Sequence, residues 1–95
     1  MKPSYFKELV NVFTSISSAK EMENFLHGVL TPQELDEIST RLQIVKMLKK
    51  GIPQHEIAEK LGIGVATVTR GSKEIAKGRF SSITEKGWRP PQAGD

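Results

Sequence analysis

Apolar residues recur along most of the chain at intervals of three and four, the spacing that places them on one face of a helix. Residues 4–17 set Phe6, Leu9, Val10, Phe13 and Ile16 in such a stripe, which predicts an amphipathic first helix. Ser17-Ser18 interrupts it, and Ser18 with Glu21 has the spacing of a capping box. A second helix is expected from about Ala19 to Val29, turning Met22, Phe25, Leu26 and Val29 inward. Thr31-Pro32-Gln33-Glu34 is a sharper start signal. Thr31 suits the N-cap, Pro32 the first helical position, and Glu34 completes a capping box. The third and longest helix runs from about Pro32 to Lys50, with Leu35, Ile38, Leu42, Val45 and Leu48 on its inner face. Lys49 and Lys50 suit the negative end of its dipole, and Gly51 closes it.

Between Gln54 and Ile75 the pattern becomes more specific. Ile57, Ala58 and Leu61 give a short helix an apolar face, and Gly62 can close it in a left-handed conformation. Val68 and Ile75, seven residues apart, mark one face of a second helix. Ala58 is small enough to let two helices cross closely. Gln54, a small residue four on, Gly62 four further and Val68 six further form the pattern of a helix-turn-helix, whose second helix enters the DNA major groove. The same two helices could also serve packing alone. Beyond Ile75 the signal fades. Gly78 is expected to end the helix, residues 79–86 to form one more short helix with Phe80 and Ile83 packing back, and residues 87–95, rich in Pro and Gly, to form a mobile tail on which Trp88 could dock. The expectation is an all-α protein: one helical domain over residues 1–86, with the helix-turn-helix at about 54–76.

Composition narrows the possible chemistry. Ninety-five residues bury only a modest core, so a partner subunit is expected to add stability. The absence of cysteine excludes disulfides and thiolate metal sites. His27 and His55 stand apart, outside any metal-ligand spacing, and no nucleophile–base set is visible. No enzyme, metal or cofactor is therefore expected. No apolar run reaches membrane-spanning length and no signal-peptide pattern opens the chain, which makes a cytoplasmic location the default. Charge is divided unevenly. Residues 1–40 hold three lysines against six acids, a balance of −3. Residues 41–80 hold nine basic residues against Glu56, Glu59 and Glu74, a balance of +6 over the helix-turn-helix. Such a block is the electrostatic footprint of a phosphate backbone. The acidic, apolar N-terminal helices read as a dimerisation half.

Two stretches carry a family resemblance. LTPQELDEISTRLQIVKMLKKG followed by QHEIAEKLGIGVATVTRGS resembles the bacterial Trp repressor family over roughly residues 29–76, without gaps. Leu30-Thr31-Pro32, Thr40-Arg41 and the run from Gly64 to Ser72 are specific to that family, and a generic helix-turn-helix would not share them. The resemblance implies an intertwined homodimer whose two reading heads bind successive major grooves of a palindromic operator in double-stranded DNA. It also implies that L-tryptophan, bound between core and reading head, acts as corepressor and sets the angle of the head.

The side chains suit those roles. Gly64, Val65 and Ala66 are small or apolar, so backbone can approach base edges and a thymine methyl. Thr67 and Thr69 offer hydroxyls to phosphates and bases, and contacts this small leave room for bridging water, as in the Trp repressor–operator interface. Gln54 and His55 open the first helix beside the backbone, where a helix N-terminus favours phosphate; the family usually has a longer basic residue at the position of His55. The resemblance assigns the ligand site to Arg41, Arg70, Gly71 and Glu74, with Leu30 and Thr31 from the other subunit. Arg70 can grip a carboxylate with two prongs, and Arg41 can lie on an indole face. For each arginine a surface ion pair or a phosphate contact is the alternative. Glu74 departs from the family's small serine, and Gly28 from a larger apolar residue. The first departure opens a second reading, a DNA-binding regulator of the same fold that does not respond to tryptophan. A helical adaptor that binds protein is a third, against which the basic second half argues.

Overall fold

A computed structural model describes residues 1–83 as five helices, and among the described residues there is no strand. They are α1 (Pro3–Ser15), α2 (Ala19–Val29), α3 (Pro32–Lys49), α4 (Gln54–Leu61) and α5 (Val65–Ala76). The all-α expectation holds. The tail and Trp88, with residues 84–86, lie outside the described residues. The chain divides into two compact units, the first ending at Glu37 and the second beginning at Ile38, within α3.

In the first unit, local chemistry sets the helix ends. Ser18 Oγ accepts from the Glu21 backbone N–H at 3.0 Å and starts α2. Thr31 and Glu34 form the reciprocal box at the start of α3: the Glu34 N–H donates to Thr31 Oγ1 at 3.1 Å, and the Thr31 N–H donates to Glu34 Oε1 at 2.9 Å. The Thr31 backbone bond, and then its side chain, hold the Glu34 carboxyl below its ordinary value against the opposing effect of burial. α1 and α2 meet through Phe13 and Phe25, edge to face with ring centroids 5.3 Å apart. Neither helix buries a residue completely, and α1 leaves Tyr5, Phe6, Leu9 and Val10 exposed.

The second unit has a core of its own. Ile44 of α3, Ile57 and Ala58 of α4, and Val68 of α5 are buried together, with Met47, Leu48, Ile52, Leu61 and Ile63 packed around them. Val45 is buried as well. The expected inner face of α3 needs correction. Leu48 and Leu35 are partly covered, but Ile38 and Leu42 are exposed, and Ile44 is the position that enters the core. Apolar residues lie on more than one side of α3: α4 and α5 pack against the side of Ile44, and Val45 is buried as expected. Gly62 ends α4 at φ +65° and ψ +38°, and its N–H caps the carbonyls of Ala58 and Glu59.

The expected short helix after α5 is also corrected. Residues 77–82 form turns, with the Ser81 N–H donating to Gly78 O and the Ile83 N–H to Phe80 O. A side chain from far away in sequence holds this segment: Lys49 Nζ donates to Phe80 O and, at 2.6 Å, to Ile83 O. Phe80 and Ile83 are partly buried, as their apolar character suggested.

Candidate nucleic-acid interface

α4 and α5 hold the residues expected to meet DNA. α5 starts after Gly64, whose extended backbone (φ −72°, ψ 146°) turns the chain into the helix. Val65, Ala66 and Thr67 in its first turn are exposed, Val65 to half its area, although Val65 and Ala66 are apolar. Val68, next in line, is fully buried and anchors the helix from below. An exposed small-residue surface therefore stands on a well-packed base. His55 in the first turn of α4 is exposed, while Gln54 and Thr69 are half-buried.

Gln54 and Thr69 are brought together across the helix pair. Thr69 Oγ1 lies 2.7 Å from Gln54 Oε1 and 3.1 Å from Val65 O. A hydroxyl has one proton, so these two acceptors compete for it. When the hydroxyl donates to Gln54 Oε1, the nearer acceptor, the bond ties the beginning of α4 to the second turn of α5. Two residues singled out separately as DNA contacts thus orient each other.

The residues assigned to a ligand fall on different elements. Leu30 and Thr31 stand at the junction of α2 and α3, in the first unit. Arg41 lies on α3, and Arg70, Gly71 and Glu74 on α5, in the second unit. Arg41 precedes Ile44 by one helical turn and Arg70 precedes Gly71, and Ile44 of α3 lies close against Gly71 of α5. A Cβ added at Gly71 would lie 2.9 Å from Ile44 Cγ2 and 3.6 Å from Leu48 Cδ1. Both arginines thus flank one helix crossing, and both are exposed. Gly71 has a packing reason that the sequence did not reveal.

Electrostatics give Arg70 and Glu74 different states. Glu74 Oε1 is 3.2 Å from Lys77 Nζ, and Oε2 is 3.5 Å from Arg79 Nε. The Lys77 hydrogen bond holds the Glu74 carboxyl below its ordinary value; burial opposes this, and the charges of Lys77 and Arg79 add to it. Arg70 makes no hydrogen bond or ion pair with the described residues. Other members of the basic block have structural work: Lys49 clasps the turn after α5, and Lys60 pairs with Glu56 at 3.5 Å. Sequence reasoning missed Lys77 and Arg79 as partners of Glu74, although Lys77 stands at helical spacing from it. Nothing in the sequence marks the Lys49 clasp. Among the described residues no group of His, Asp and Glu could hold a metal ion, and no helix is long and apolar enough to cross a membrane.

Comparison with known proteins bears on this arrangement. The family model of the Trp repressor protein matches residues 4–83. A Trp operon repressor homolog of Vibrio parahaemolyticus is 34% identical over 77 residues, covering 78% of this chain and 75% of the relative. A homolog of the same name from Vibrio campbellii is 30% identical over 95 residues, covering 90% and 95%. One from Actinobacillus succinogenes reaches 48% over 63 residues, covering 65% and 61%. No solved structure matches the chain. The family match spans all five helices, the exposed start of α5 and the arginines at the helix crossing, and the chain belongs to the Trp repressor family.

Proposed function

We propose that the protein is a dimeric transcriptional repressor that binds a palindromic operator and uses L-tryptophan as corepressor. Its family is a regulatory, DNA-binding one and not enzymatic. The observation that carries the reading is the exposed, small-residue start of α5 set on a buried Val68. In this reading α4 and α5 are a helix-turn-helix. Val65 and Ala66 lie close to base edges, the Thr67 hydroxyl and the His55 side chain reach the backbone, and Gln54 and Thr69 keep the two helices in register. Dimerisation is supported by the exposed Tyr5, Phe6, Leu9 and Val10 of α1, by Ile38 and Leu42 of α3, and by a first unit with no fully buried side chain.

For the corepressor, Arg70, unpaired among the described residues, supplies a carboxylate site and Arg41 a cationic plane for an indole face. Leu30 and Thr31 of a second copy complete the proposed contacts. Isothermal titration with L-tryptophan, beside other amino acids, tests this part. The expected result is selective uptake of tryptophan that is lost in Arg70→Ala. Glu74, where the family has a serine, favours one alternative: a repressor of this fold that ignores tryptophan. A large gain in tryptophan affinity in Glu74→Ser would show that Glu74 obstructs the site and would favour that alternative. A loss would place Glu74 among the ligand contacts.

A further inference from the structure

Glu74 follows Arg70 by four residues on α5, the separation at which oppositely charged side chains meet on a helix surface. They do not meet here. Both Glu74 oxygens are taken, one by Lys77 at 3.2 Å and the other by Arg79 at 3.5 Å. Lys77 caps the end of α5, whereas Arg79 lies beyond the helix, so its place is set by the path of the turns at 77–82. Lys49 fixes that path by donating to the carbonyls of Phe80 and Ile83. A continuous set of contacts therefore runs from the end of α3, through the turns, to the carboxylate that could otherwise close on Arg70.

We propose that Lys77 and Arg79 are positioning residues for an anion site on Arg70: by occupying both oxygens of Glu74 they leave the Arg70 guanidinium open to a ligand carboxylate. Lys49 acts one step further back, by holding the turn that carries Arg79. The proposal rests on the reading of Arg70 as the carboxylate-binding residue. It gives this chain a means of carrying an acid beside a site for an acid. The ion pairs involved are largely exposed, with Lys77 and Arg79 side chains at 58% and 67%. Each is therefore a modest interaction, and releasing Glu74 is expected to weaken carboxylate binding by about two-fold.

The test uses the full chain, the double variant Lys77→Ala/Arg79→Ala, and both in a Glu74→Gln background. The first readout needs no ligand. Solvent exchange of the Arg70 Nε–H, followed by NMR, should slow in the double variant as Glu74 closes on Arg70, and return to the original rate when Glu74→Gln is added. An unchanged Arg70 signal in the double variant overturns the proposal. The second readout is titration with L-tryptophan. Binding should weaken about two-fold in the double variant and be equal in the two Glu74→Gln proteins. Equal weakening in both backgrounds overturns it, because the lost charges would then act on the ligand directly. If the unaltered protein takes up no tryptophan, the corepressor reading fails by itself, and the Arg70 exchange decides the proposal.

Discussion

Replacing Gly71 by alanine sets two effects of opposite sign against each other. In a helix interior the change favours folding by about 0.5–1 kcal/mol, because alanine restricts the unfolded chain and suits the helix. At this position the added methyl would lie 2.9 Å from Ile44 Cγ2, closer than carbon atoms approach. Ile44 is 1% exposed and its Cγ2 branches directly from Cβ, so the methyl cannot swing aside without disturbing the core. Overpacking of this kind costs about 1–3 kcal/mol. The net expectation is a loss of about 1 kcal/mol, or about 4–8 °C in Tm for a domain of this size. Gly28 is the internal control. It lies in α2, and a Cβ there would meet nothing within 4 Å, so Gly28→Ala should be neutral or stabilising. Thermal and urea unfolding of both variants, at one fixed protein concentration because the proposed dimerisation would add to stability, separates the cases. A Gly71→Ala protein as stable as Gly28→Ala would refute the close approach of α5 to α3.

Three further outcomes are expected. Thr31→Ala should lose the side-chain half of the α3 capping box and about 1 kcal/mol of stability in urea unfolding. The Glu34 carboxyl is held below its ordinary value in the folded chain, so its contribution is present above the usual carboxylate range and is lost as pH falls through the folded value. Glu34→Gln should flatten the acid side of a stability–pH profile, and an unchanged profile would count against the box. Ala66→Glu places charge and bulk on an exposed position of α5, so specific DNA binding should disappear while Tm stays nearly constant; undiminished binding would mean that α5 faces away from DNA. Light scattering at micromolar concentration should give twice the chain mass, and a well-folded monomer lacking residues 1–25 would contradict a shared core.

What could be read from sequence follows the range of the interactions involved. The Ser18 and Thr31 starts and the Gly62 stop were legible because each depends on residues within four positions of one another. Even the exposed start of α5 showed itself, as small residues ahead of a single buried valine. Longer-range relations did not. Ile44, rather than Ile38 or Leu42, enters the core because α4 and α5 return to that side of α3, and spacing along α3 alone cannot choose between its sides. Lys49 counted as one more basic residue until the chain came back to it 31 and 34 positions later. Resemblance alone assigns Gly71 to the ligand site, yet an added methyl there would meet Ile44. Glu74 stands at helical spacing from Arg70, but its carboxylate pairs with Lys77 and Arg79 at and beyond the end of α5.

The central claim joins DNA recognition to an amino-acid signal, and one selection measures both. The full-length protein is mixed with a pool of random DNA duplexes, with and without saturating L-tryptophan, and the retained sequences are read. The account predicts enrichment of a single palindromic sequence, with half-sites about one helical turn apart, only when tryptophan is present. Enrichment of the same sequence without tryptophan, or of none in either condition, would contradict it.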